Sequence, residues 1–137
     1  TFTIVVKVTS GTAPGTVITN TASVATAVVD PNSTNDSALA TVTVATPQQA
    51  AGSLQSQVTA STALSQYKTA LNNQLQSAVS YLNQHTAYGN QAACSALNTF
   101  KTLATSYSAI PATTGITPAM ATAWNAQVDL IKAAVPC

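Results

Sequence analysis

Few side chains in this 137-residue sequence can do chemistry, and they are scattered. His85 is the single histidine. The acids are Asp30, Asp36 and Asp129, with no Glu, and the bases are four Lys with no Arg. A Ser-His-Asp relay needs an acid held beside its imidazole, and no motif places one near His85. Paired carboxylates for general acid–base work are equally missing. His85 falls near the end of a long amphipathic stretch, where a cation meets the negative end of a helix dipole. A surface or capping role is therefore expected for it. No catalytic residue and no cofactor are assigned, and the chain is read as not an enzyme.

Cys94 and Cys137 lie too far apart for a redox Cys-x-x-Cys pair. An even count fits one structural disulfide, with free thiols or an intermolecular bond as the alternatives. Asp30, Asn32, Asn35 and Asp36 gather oxygen ligands in one stretch, as calcium prefers. The spacing is not that of an EF-hand and no Glu closes a cage, so an Asx-rich turn is expected and no metal is assigned. Asn32 and Asn35 each head an Asn-x-Ser/Thr sequon in what reads as an exposed loop. Lys7 with Asn20 or Asn35 has the residue types of a Lys–Asn isopeptide bond. Without a Glu to assist, and with Lys7 opposite Phe2, Ile4, Val6 and Val8, a solvated lysine is expected instead. Asp129 and Lys132, three residues apart, read as a helix-surface pair. Tyr81 and Tyr88 flank a helix end. Exposed together they would meet a glycan or another subunit; packing at the helix end is the alternative.

Charged residues make up only 5% of the chain against 46% hydrophobic, and the formal net charge is +1. Soluble domains usually carry about 25% charged residues. With four Lys and no Arg, nothing can neutralise a row of phosphates, which excludes nucleic-acid binding. A polybasic membrane-surface role is excluded for the same reason. No stretch approaches the ~20 apolar residues of a membrane span. The sequence shows no starting Met, signal peptide or anchor motif, so it reads as a mature or trimmed piece of something larger. A surface of Thr, Ser, Asn and Gln repels other copies weakly, which makes self-association easy. It also offers trypsin-like proteases few sites. Together with a disulfide, these properties favour an extracellular or cell-surface address.

The composition changes at Thr46-Pro47. Before it, β-branched residues alternate with a period of two. Three strands are expected: Phe2, Ile4, Val6 and Val8 on one face of the first; Ile18, Asn20, Ala22 and Val24 in the run 16–29; Ala38, Ala40, Val42 and Val44 in the run 37–46. The stretches 10–15 and 30–36 are loops rich in turn formers. Residues 47–60 are read as a linker or short helix, with Gly52 weakening the helical case. Beyond them, Leu64, Tyr67, Leu71, Leu75, Ala78, Val79 and Leu82 recur at helical spacing and predict a helix over 61–84. Gly89 supplies a break. Ala93, Leu97, Phe100 and Ala104 predict a second helix over 90–106. Thr117-Pro118 is an N-cap with a first-turn proline. It opens a third helix to about 134 with Met120, Trp124, Val128 and Ile131 inward. The expectation is an α+β chain: residues 1–46 a partial antiparallel β-sheet of three strands, and residues 61–137 an antiparallel three-helix bundle. If the second and third helices are antiparallel, Cys94 and Cys137 meet.

The runs Gly15-Thr16-Val17-Ile18-Thr19-Asn20-Thr21-Ala22-Ser23-Val24 and Asp30-Pro31-Asn32-Ser33-Thr34-Asn35-Asp36-Ser37-Ala38, with Ala40-Thr41-Val42-Thr43-Val44 after them, resemble the C-terminal half of a bacterial surface repeat, the domain of unknown function eleven. The resemblance covers about residues 1–46 and implies an immunoglobulin-like sandwich, often strung in tandem on secreted proteins. The N-terminal half of that repeat is absent here. The stretches Asn90–Phe100, Gly115–Ala119 and Ile131–Cys137 resemble FIMAH-type helical domains at the ends of secreted bacterial proteins, with a departure over 101–114. That second resemblance implies paired cysteines and an extracellular address.

Three strands make a poor domain alone, since one face and two edges stay open. The expected function is accordingly that of an extracellular structural protein of the bacterial cell surface, assembling into a filament or array by β-strand complementation. Phe2, Ile4, Val6 and Val8 form the expected assembly strand. The alternative is a C-terminal adhesion or ligand-binding module clipped from a longer multi-repeat protein. The partners expected are further copies of the chain or upstream repeats, and a glycan.

Overall fold

β-branched residues at alternate positions favour extended chain, and two such runs pair in the first part of the molecule. The computed structural model describes residues 12–25, 27, 28 and 30–137. The chain is α+β and divides into two units, Thr1–Val44 and Ala45–Cys137. In the first, β1 (Val17–Ser23) runs antiparallel to β2 (Ser37–Thr43). Ile18 stands opposite Val42, Asn20 opposite Ala40 and Ala22 opposite Ala38, so the two stripes read from the sequence share a face. The pairing continues past β1 at its start: Gly15 N–H donates to Val44 O at 2.8 Å and Val44 N–H to Thr16 O at 2.9 Å. It ends with Val24 N–H on Asp36 O at 2.9 Å. Of the expected run 16–29, β1 covers Val17–Ser23, where its partner β2 begins at Ser37; residues 26 and 29 lie outside the described ones. The strand expected over Phe2, Ile4, Val6 and Val8 lies outside the described residues, as does Lys7.

The helical unit holds four long helices and one single turn. They are α1 (Pro47–Ala60), α2 (Ser65–Leu82), α3 (Ala87–Ser108), the turn α4 (Pro111–Thr114) and α5 (Pro118–Ala133). The bundle is thus not the three-helix one expected. α1 is a full member: Ala51, Leu54 and Val58 are buried without remainder, and α1 packs on both α2 and α5. Its start is fixed by a capping box. Thr46 Oγ1 accepts from Gln49 N–H at 3.2 Å while Gln49 Oε1 accepts from Thr46 N–H at 2.9 Å, with Pro47 in the first turn. This satisfies two donors that a helix start leaves open. Gly52 sits in the middle of α1 with open space around it, so it weakens the helix without breaking it.

Thr86 and Thr117 cap α3 and α5 with their side chains alone, accepting from Gly89 and Met120 N–H. α3 therefore begins at Ala87, earlier than the expected residue 90, and Gly89 lies inside its first turn rather than before it. The core is one cluster in which Leu71, Leu75, Leu97, Phe100 and Val128 are fully enclosed. Leu64 departs from the inward stripe: it is the exposed N-cap of α2, outside the helical repeat. Ile116 and Val135, outside the long helices, complete the core.

Candidate functional site

Sheet residues normally bury one face. In the β1–β2 ribbon every described residue is exposed on both faces except Ile18, which is half-buried. Val17, Leu39 and Val42 are each more than half exposed, and Leu39 reaches 67%. Among the described residues no third strand lies beside the ribbon; two-stranded ribbons are marginal in water, and a strand edge can accept another strand. The turn joining the strands is held by its own side chains. Asp30 Oδ1 accepts from Asn32 N–H at 2.8 Å, and Asn32 Oδ1 accepts from Thr34 N–H at 3.3 Å and from the Thr34 hydroxyl at 2.5 Å. These oxygens serve an Asx turn followed by the 3-10 turn Ser33–Asn35. Asn20 is exposed on β1.

In the helical unit, Cys94 in the first half of α3 is bonded to Cys137 after α5, their Cα atoms 6.1 Å apart. Among the described residues no cysteine is free. The bond ties Cys137 to a buried position on α3 itself. His85 is exposed in the turn between α2 and α3 and takes a left-handed φ of 51°. Its N–H donates to Leu82 O at 3.2 Å, which helps close the end of α2. Asp129 does not pair with Lys132. It bonds Lys101 on α3 at 2.6 Å, and Lys132 instead donates to Asn98 Oδ1 at 2.7 Å. Facing helices offered both residues partners across the α3–α5 seam.

Tyr81 and Tyr88 differ in burial: Tyr81 packs against the core and Tyr88 is 75% exposed. Both line a shallow groove of about 490 Å³ between α2 and α3, with Gln74 and Ser77 on one wall and Gln91 and Ser95 on the other. No charged side chain lines it. The amide and hydroxyl residues of this groove went unremarked in the sequence. The signal was there in Gln74, Ser77 and Tyr81, which share one face of α2 at helical spacing. Among the described residues no group of His, Cys, Asp or Glu is placed to hold a metal, and no helix is long and apolar enough to cross a membrane.

No family model, no curated protein and no solved structure matches the chain.

Proposed function

We propose that this chain is an extracellular structural protein of the bacterial cell surface whose β unit is completed by strands from another copy, building a filament or array. The observation that carries the reading is the β1–β2 ribbon, apolar at Val17, Leu39 and Val42 yet open on both faces. A ribbon of this kind gains most from strand addition, in which backbone hydrogen bonds supply affinity and alternate side chains supply fit. Copies that repeat one contact head to tail form open chains. The near absence of charge supports this, since little repulsion opposes close approach. The disulfide supports an oxidising location. The resemblance of residues 1–46 to an immunoglobulin-like surface repeat agrees, because such a sandwich needs roughly seven strands.

Light scattering coupled to size exclusion, with electron microscopy, tests the reading on the full chain. Oligomers or filaments are expected, and Leu39→Lys on the exposed ribbon should shift them toward monomer. A monodisperse monomer with slowly exchanging amides over 17–23 and 37–43 overturns it. Native protein whose polypeptide carries further repeats before Thr1, found by mass spectrometry together with a monomeric state, supports the adhesion-module reading instead.

A further inference from the structure

We infer that the groove between α2 and α3 binds a neutral oligosaccharide. Polar side chains bridge the other seams of the bundle. The α1–α5 seam is bridged by a reciprocal amide pair, Gln57 and Gln127, at 3.1 and 2.8 Å. Asn72 on α2 donates to Thr59 Oγ1 on α1 at 3.0 Å. Across α3 and α5 stand Lys101–Asp129, Lys132–Asn98 and Asn125–Thr105. Among the described residues the α2–α3 seam has no side-chain bridge, although these two helices pack closely. Here the polar side chains Gln74, Ser77, Gln91 and Ser95 make no hydrogen bond within the protein and border a concavity instead. Ala92 and Ala96 are the small residues that leave the space.

The chemistry of the lining selects the ligand class. Each amide presents a donor and an acceptor side by side, and each serine hydroxyl does both. This set matches vicinal sugar hydroxyls, which also donate and accept. Tyr88, largely exposed, adds an aromatic ring with a polar tip, suited to a ligand with one C–H face and one hydroxylated edge, and the half-buried Tyr81 borders the groove beside it. The lining holds no cation for a phosphate, sulfate or uronate and no anion for an amine. Its polarity also suits a sugar better than the apolar face of a docking helix. A volume of about 490 Å³ falls within the range of small-ligand sites. The groove lies wholly in the helical unit, so the inference does not depend on strand completion.

Isothermal calorimetry on the full, disulfide-bonded chain tests it, with cellohexaose, mannohexaose and N-acetylchitohexaose as probes and hexagalacturonic acid as the charged comparison. At least one neutral probe is expected to bind saturably, and more tightly than the acid. Tyr88→Ala should weaken that binding about tenfold, the scale of one lost stacking contact. Gln91→Ala should weaken it as well, and Leu130→Ala, an exposed change on α5, should leave it unaltered. Because Tyr88 is largely exposed, an unchanged melting midpoint will show that Tyr88→Ala folds. The inference is overturned if no neutral probe binds at up to about 10 mM. It is equally overturned if Tyr88→Ala and Gln91→Ala bind as the parent does. Heats of dilution of the protein alone that vanish in Tyr88→Ala would assign the groove to a second copy and also overturn it.

Discussion

Thr114 shows how much one buried hydroxyl can hold. It is fully enclosed, donates to Tyr107 O at 2.9 Å and accepts from Ile116 N–H at 3.1 Å. Its own carbonyl accepts from Leu64 N–H at 2.9 Å, which ties the α4 turn to the start of α2. Thr114→Val keeps the shape and removes the hydroxyl, leaving the Ile116 N–H without a partner. A loss of about 1–3 kcal/mol is expected, read as a lower denaturant midpoint by helical circular dichroism. Nothing in the sequence marks Thr114 out among its threonine neighbours, because its role depends on groups brought together by the turn. The same holds for Asp129 and Lys132. Spacing along one helix favours their pairing, but a partner on the facing helix wins for each. His85 could be placed near a helix end from sequence. Its left-handed backbone, in a position glycine commonly takes, could not.

At the scale of elements, one helix start was legible: Thr117, with Pro118 after it, is the cap the sequence announces. Thr46 and Thr86 cap α1 and α3 but are not read as caps from the sequence, and those helix starts are missed. The inward stripe of α2, from Leu71 through Leu82, follows the expected period. α1 was the ambiguous element, since Ala51, Leu54 and Val58 give a thin stripe interrupted by Gly52. Packing on α2 and α5 turned a marginal helix into a core one. The two helical glycines should therefore respond oppositely to alanine. At Gly52 a Cβ meets open space, so Gly52→Ala should stabilise by about 0.5–1 kcal/mol through helix propensity. At Gly89 a Cβ would stand 2.5 Å from Tyr81 O on α2. There the clash outweighs propensity, and Gly89→Ala should destabilise by about 1–3 kcal/mol. Paired thermal melts of the two variants check the signs; equal shifts in one direction would refute the close approach of α2 and α3.

At the scale of the whole molecule, the described ribbon residues are exposed apart from the half-buried Ile18, while the helical unit has an alanine-rich core and Cys137 clipped to α3. The disulfide spans a sequence separation of 43, worth about 4 kcal/mol in the chain-entropy account. Cys137→Ser should lower the stability of the helical unit by about 2–4 kcal/mol. Reductant should bring the parent's melting midpoint down to that of the variant while leaving the variant's unchanged. An unaltered parent midpoint under full reduction would show that the bundle stands without its clip.

The sequence alone determined the extended runs that become β1 and β2 and the coiling of α2, α3 and α5, because β-branched alternation and helical periodicity are local properties that neighbouring residues enforce. It also determined the shortage of charge and of catalytic groups, which is a matter of composition. Tertiary structure decided the rest. That α1 belongs to the core, that α3 and α5 hold Cys94 against Cys137, and that α2 and α3 leave their amides facing an unfilled groove all depend on which faces meet. Those meetings join residues far apart in the chain, and no local pattern encodes them.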